Sequence, residues 1–454
     1  MSKNCVRLYP VAAMRKRRLA GTACSVLVLS VMALAGLPTQ PAEADETCQS
    51  PYMPIITGQE EFVYVWTLGV AGIGDGSDKL VTIDVRPDST SFGKIINSVS
   101  VGGRHEAHHA GFTSDRRHLW AGGLDTSQIF VFDMHSDPSK PKLVKTITSF
   151  VKDSGGAVGP HTFYALPGRM LITALSNNND HGGRTALVEY SDDGKHLATH
   201  WMPTEADPSG AKIDKAADGY GYDLRALPRR NVMLSSSFTG WSNYMMDFGK
   251  MLQDKVAMQH FGQTVVQWNL HTRKPTKVLH VPGAPLEIRF AWGPNHNYAF
   301  TSTALTSKLW LIHEGDKGEW QAKAVADIGD PSQVPLPVDI SIASDDRSMW
   351  VNTFMDGKTR LFDISDPHAP KQIYEKVVGK QINMVSQSWD GKRVYLTSSL
   401  LANWDKKGAD NDQFLRSYAW NGKELEEVFS VDFNAEKLGR SHIMVFGSSK
   451  LYGG

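Results

Sequence analysis

Thr359-Arg-Leu-Phe-Asp-Ile-Ser-Asp-Pro-His-Ala-Pro-Lys371 is a strand of alternating apolar residues that runs directly into an Asp-Pro turn. Asp and Pro set such a turn before a further strand can begin. The same design recurs at Ile129-Phe-Val-Phe-Asp-Met, with its own Ser136-Asp-Pro-Ser-Lys-Pro-Lys punctuation, and at strands beginning with Lys79, Thr185, Thr264, Ser307 and Phe414, making seven copies. A second pattern, a turn opening onto an apolar strand, also occurs seven times, as in Ser114-Asp-Arg-Arg-His-Leu-Trp, Ser344-Asp-Asp-Arg-Ser-Met-Trp and Gly447-Ser-Ser-Lys-Leu-Tyr. Successive copies lie mostly about 45 to 60 residues apart, the length of a four-stranded propeller blade.

The two patterns interleave, but the first alternating strand, at Lys79, has no turn pattern before it, and the last turn pattern, at Gly447, has no alternating strand after it. An open solenoid or a pair of sandwiches leaves both orphans unexplained. A ring whose C-terminal strand joins the N-terminal strands in one composite blade accounts for both, and it removes the exposed sheet edge of an open array. The expectation is an all-β, seven-bladed β-propeller over residues 45–454. Its longest gap between repeats, about 237–260, contains Tyr244-Met-Met-Asp-Phe-Gly-Lys-Met-Leu and reads as an insertion on one blade, by default a packing element.

Residues 1–44 are set apart. Arg15-Lys-Arg-Arg18 precedes an apolar run, residues 19–37, and Ala42-Glu-Ala44 supplies small residues for a cleavage site, so this stretch reads as an export leader and the mature chain as periplasmic. The apolar run is short for a membrane span, so no membrane association is expected once the leader is removed, and Arg17-Arg18 suits a twin-arginine route. Of the three cysteines, Cys5 and Cys24 fall in the leader and only Cys48 stays in the mature chain. An internal disulfide is then excluded, and a metal would have to be held by imidazole and oxygen.

With 48 basic and 48 acidic residues, no global field draws the chain to nucleic acid or to an anionic surface. There is no Gly-rich phosphate loop, no Gly-x-Ser-x-Gly elbow and no His-Glu-x-x-His, which sets aside nucleotide, serine-hydrolase and zincin chemistry. The oligomeric state is left open, a homo-oligomer included.

The innermost strand of each blade should lie just upstream of each turn pattern. Counting back ten residues from the first strongly apolar position after each turn reaches, within one residue, His109, His161, Tyr222-Asp223, Glu287-Ile-Arg289, Asp339, Asn383 and Ser441-His442. Polar groups crowded onto a narrow axis must be paired, solvated or occupied by a ligand. His108-His109, His161 and His442 come from three blades that ring closure makes adjacent. Imidazoles without thiolates suit copper, zinc or nickel, with copper favoured by affinity order and an oxidising compartment. Neighbouring residues on a strand face opposite ways, so His108 and His109 can share one ion only if a bulge turns one of them. Glu287 and Asp339 are candidate catalytic residues, as a general base or as partners that orient an imidazole; an ion pair with Arg289 is the competing assignment. The remaining histidines sit mostly in turns or outer strands and read as solvated.

Several stretches also carry a resemblance: Glu106-Ala-His-His-Ala-Gly-Phe, Pro160-His-Thr, Gly221-Tyr-Asp, Pro228-Arg-Arg-Asn-Val-Met, Pro285-Leu-Glu-Ile-Arg-Phe, Asp390-Gly-Lys-Arg-Val-Tyr-Leu-Thr-Ser-Ser-Leu and Asn403-Trp-Asp-Lys. In this order they are similar to segments of the selenium-binding protein/methanethiol oxidase family. The resemblance implies a copper-dependent oxidase that takes a small thiol, methanethiol, with oxygen and water to formaldehyde, hydrogen sulfide and hydrogen peroxide, with His108, His109, His161 and His442 as copper ligands. It leaves as alternatives a non-catalytic copper- or selenium-binding propeller, or an interaction scaffold. The chain departs from the family pattern twice: Thr67 stands where animal relatives carry a selenium-linked cysteine, and Ser441-His442-Ile443 lacks a carboxylate that the family pairs with its C-terminal histidine.

Overall fold

The computed structural model describes residues 50–451 except 54–55, 57, 178–183, 206–212 and 406–411. The leader reading, Cys48 and His181 therefore lie outside the described residues. No helix among the described residues is long and apolar enough to cross a membrane.

Seven antiparallel sheets of four strands make seven blades. Their innermost strands are Ala107–Phe112, Ala157–Leu166, Leu224–Leu227, Pro285–Phe290, Pro337–Ile342, Ile382–Gln387 and Arg440–Gly447, for blades 1 to 7 in that order. Each meets the next around the axis, and Arg440–Gly447 returns to Ala107–Phe112. Blade 7 is the composite that the orphaned repeats required: C-terminal Arg440–Gly447 pairs with N-terminal Phe62–Leu68, followed outward by Lys79–Asp84 and Lys94–Ser100.

Large side chains between the blades are almost wholly buried, among them Trp66, Trp120 and Trp268, so each blade presents an apolar face to both neighbours. Where the innermost strands crowd together only glycine fits: a Cβ at Gly111 would sit 2.1 Å from the carbonyl oxygen of Phe163 in blade 2. The composite blade is tied on both flanks. Toward blade 1, Trp66 Nε1 donates to the Gly122 carbonyl at 2.9 Å and Arg116 Nη2 to the Phe446 carbonyl at 2.6 Å. Toward blade 6, buried Glu60 accepts from Tyr395 Oη at 2.6 Å and pairs with Arg393 at 3.0 Å.

One irregularity repeats around the ring. In blade 1, Ala107 pairs with Gly123 but Ala110 with Ala121, so the innermost strand carries one extra residue, a β-bulge, at His108-His109. Equivalent shifts occur between Pro160 and Phe163, Pro285 and Ile288, Pro337 and Asp339, and Ile382 and Val385, and in blade 7 across His442. In blade 3 regular pairing starts at Leu224, immediately after Asp223. The bulges lie at one level of the axis, and their residues leave the ladder there.

Between the second and third strands of blade 3 the chain forms two short helices, Trp241–Met245 and Phe248–Gln253, and a single helical turn, Ala257–His260. A Thr239–Phe261 bridge and the Gly240 amide donating to the His260 carbonyl at 2.9 Å close its neck, giving a compact Ω-loop.

Candidate metal and thiol site

The bulges bring His108, His109, His161 and His442 together. Ring centroids are 3.8 Å apart for His108 and His442, 4.0 Å for His109 and His161, and 4.9 Å for His108 and His161. One ligand atom from each of His108, His109 and His161 lies within 4.8 Å of the others. The bulge at His108-His109 lifts the strand-alternation objection to their sharing one site.

All four imidazoles are buried, with exposures of 2 % or less. Burial pushes the imidazolium forms of His108, His109 and His161 well below the ordinary histidine range, and the neighbouring histidines add to it. Burial takes His442 down to about 3, against an opposing hydrogen bond to the Ser399 backbone. At neutral pH all four are therefore uncharged and carry nitrogen lone pairs. His108 Nδ1, His161 Nε2 and His442 Nε2 are buried with no hydrogen-bond partner. An orphaned polar atom in a dry interior is costly, and three of them, on rings linked through His108 in a donor set of imidazoles alone, fit a borderline transition-metal ion such as copper.

Asp223, Arg225, Glu287, Arg289 and Asp339 form the next layer of the axis. Arg289 contacts Asp223 at 3.2 Å, Glu287 at 2.9 Å and Asp339 at 2.9 Å, and Arg225 contacts Asp223 at 2.5 Å and Glu287 at 3.4 Å. The two proposed carboxylates differ within it. Asp339 accepts at Oδ1 from Arg289 and the Ile340 amide, and at Oδ2 from the Val385 amide at 2.8 Å, so both oxygens are committed. Glu287 gives Oε2 to the arginines, while Oε1 makes no hydrogen bond and lies 3.5 Å from His109 Nε2. Burial and the Asp223 charge push the Glu287 carboxyl well above its usual range, against the pull of Arg289. Glu287 is thus the carboxyl with an oxygen facing the histidine layer, and Asp339 the one that holds Arg289. A cavity of about 110 Å³ at the far mouth reaches this layer, lined in part by Tyr164, Arg225, Arg289 and Trp292.

On the histidine side an aromatic roof closes the axis. Tyr222 packs at a tilt 4.1 Å from His161, Phe238 meets Tyr222 at 5.4 Å, and Tyr244 and Trp404 meet Phe238 at 5.8 and 5.6 Å. Tyr244 comes from the Ω-loop, which meets blade 6 through the Asn403 amide donating to the Tyr244 carbonyl at 3.1 Å and through Tyr244 and Phe248 packing on Trp404. Tyr244 Oη and Trp404 Nε1 are buried without partners. The counting argument reached Tyr222 but missed Phe238, Tyr244 and Trp404, which lie on loops outside the innermost strands; Asn403-Trp-Asp was visible only as a motif.

Away from the axis, His200 and His296 pair with Glu189 at 2.9 Å and Asp346 at 2.6 Å, so they are not simply solvated. Thr67 is buried and its hydroxyl donates to the Lys79 carbonyl at 3.1 Å, which leaves no thiol at that position.

An all-β propeller with a ring of bulged innermost strands and an axial imidazole cluster defines the class. The chain belongs to the 56 kDa selenium-binding protein (SBP56) family, whose family model matches residues 42–443. It is 70 % identical over 441 residues to a methanethiol oxidase of Ruegeria pomeroyi, covering 97 % of this chain and 100 % of that one. A methanethiol oxidase of Hyphomicrobium sp. is 58 % identical, with 96 % of each chain covered. The crystal structure of a hypothetical selenium-binding protein from Sulfolobus tokodaii superposes with a TM-score of 0.74 at 25 % identity, covering 88 % of this chain and 97 % of that one. With relatives matched almost end to end, the chain is an oxidoreductase of the methanethiol oxidase-like type.

Proposed function

We propose that this chain is a copper-dependent oxidase of methanethiol, giving formaldehyde, hydrogen sulfide and hydrogen peroxide. The observation that carries the reading is the meeting of four buried, uncharged imidazoles in which His108 Nδ1, His161 Nε2 and His442 Nε2 have no protein partner. His108, His109, His161 and His442 would hold the ion, which when bound supplies a Lewis acid for the sulfur and a path for two electrons to oxygen.

The reaction balances as CH3SH + O2 + H2O → HCHO + H2S + H2O2, carbon losing two electrons and oxygen gaining them. The residues divide the remaining work. Glu287 Oε1 is free of hydrogen bonds, and its carboxyl has a raised proton affinity, so it suits holding a proton beside the histidine layer and passing it on during turnover. Arg225 and Arg289 hold its other oxygen and fix its direction. The roof of Tyr222, Phe238, Tyr244 and Trp404 keeps bulk water off the cluster and favours a small apolar substrate over a charged, glutathione-sized one. Residues 1–44, read as an export leader, make the working compartment the periplasm.

The test is elemental analysis of protein purified without chelators, beside a His109→Ala, His161→Ala double variant, with thiol-dependent peroxide release assayed on both. Stoichiometric copper and peroxide release in the wild type, both lost in the variant, are expected. A metal-free wild type that stays inactive after copper is supplied would overturn the proposal.

A further inference from the structure

The residues flanking His442, Ser441 and Ile443, carry no carboxylate, and the group that meets His442 Nδ1 is a backbone carbonyl. Ser399 follows the strand Arg393–Ser398 with φ +76°, a left-handed backbone that residues with a Cβ seldom adopt. Asp405 pins this turn. Its Oδ2 accepts from Ser399 Oγ at 2.6 Å and from Arg440 Nη1 at 3.0 Å, and its Oδ1 accepts from the Leu400 amide at 2.8 Å.

Held this way, the Ser399 carbonyl points into the axis, where it accepts from Asn383 Nδ2 at 2.7 Å and lies 2.9 Å from His442 Nδ1. Asn383 Nδ2 is also 3.2 Å from His442 Nδ1, so its amide is a second candidate partner for that nitrogen. The shorter contact decides between them: a carbonyl oxygen only accepts, and an imidazole nitrogen 2.9 Å away must carry the proton. His442 is then the Nδ1–H tautomer, and its Nε2 lone pair is the one left toward His108.

We propose that Asp405 is a positioning residue: by pinning Ser399 it aims a carbonyl at His442 Nδ1 and so selects the tautomer and ring direction that point Nε2 into the histidine cluster. This rests on the copper reading only for its purpose, because the tautomer exists in metal-free protein. It also gives Asn403-Trp-Asp405 a physical role, since the same short segment supplies Trp404 to the roof.

The experiment records ring 15N shifts in metal-free, 15N-histidine-labelled protein at pH 7, with His442 assigned by a His442→Gln variant, and measures copper affinity by competition. In the wild type His442 should show the Nδ1–H pattern. Asp405→Asn should mix the tautomers and weaken copper binding about 10- to 100-fold. Adding Ser399→Gly should restore the pattern in part, because glycine adopts the left-handed turn without help. Should Asp405→Asn not fold, Ser399→Ala breaks the same link and leaves the Asp405–Arg440 pair intact. An unchanged His442 tautomer in whichever variant folds, or a wild-type His442 protonated on Nε2, overturns the proposal. A wild type with the expected tautomer but no copper affinity would instead sink the oxidase reading and leave this one standing.

Discussion

The two sides of the axis solve the problem of buried polarity in opposite ways. Blades 7, 1 and 2 contribute His108, His109, His161 and His442, which carry no charge, and His108, His161 and His442 each leave a ring nitrogen without a hydrogen-bond partner. Blades 3, 4 and 5 contribute Asp223, Arg225, Glu287, Arg289 and Asp339, whose guanidinium and carboxyl groups are spent mostly on one another. A saturated network stabilises one geometry, whereas an unsaturated cluster costs stability and keeps lone pairs available for a ligand. Glu287 stands on the boundary, one oxygen in each regime.

The sharpest way to break this contrast is to remove one imidazole. His161→Ala should lower copper affinity more than about 100-fold, beyond the effect of losing an outer partner, and peroxide release should fall with it. Because the cluster costs stability when empty, metal-free His161→Ala should unfold no earlier than metal-free wild type in urea. An equal loss of stability and affinity would make the histidines structural.

On the saturated side the signs reverse. Arg289→Met leaves buried carboxylates without their shared cation and should cost about 3–5 kcal/mol, read as a lower urea midpoint whether or not metal is present. A shift below about 1 kcal/mol would show that the network does not hold this side together.

Phe238→Ala sharpens the comparison from above. Removing a fully buried ring should cost about 3 kcal/mol, and it should raise turnover of ethanethiol or propanethiol relative to methanethiol. An unchanged ratio would move the size limit elsewhere.

The smallest effect lies at the rim, where Glu189 meets His200 and Arg169 at 2.9 Å and Arg273 at 3.2 Å. Burial raises its carboxyl, but the His200 and Arg169 hydrogen bonds and the Arg273 charge outweigh it and hold it down at about 2. A carboxyl depressed on folding stabilises the protein above its unfolded value, and that contribution is lost as pH falls from about 4.5 through about 2. The acid limb of a stability–pH curve should therefore be shallower in Glu189→Gln, whose deficit against the wild type should be full and constant above about pH 5 and close as pH falls toward 2. An identical limb would remove this cluster as a contributor.

The repeats made the ring and its closure legible, because strand alternation and turn chemistry are local. The histidines were legible through register, a property of spacing. The bulges were not, since an extra residue in a strand looks like any other residue until its partner strand is known. The difference between Asp339 and Glu287 was hidden for the same reason: both fall at one register, and it takes the Val385 amide of the next blade and the Arg289 side chain to commit both Asp339 oxygens across the blades. The roof and the Ser399 carbonyl depend on loops crossing between blades, which leave no periodic trace.

Blade 7 has a temporal meaning as well as a spatial one. Three of the cluster's imidazoles lie in the first two complete blades, while His442 arrives on the last described strand. A chain stopped before residue 440 could build most of its blades yet hold neither a closed ring nor the fourth imidazole. The fourfold cluster therefore exists only once Arg440–Gly447 has paired with Phe62–Leu68 and come to lie beside blade 1, so ring closure and assembly of the cluster are one event.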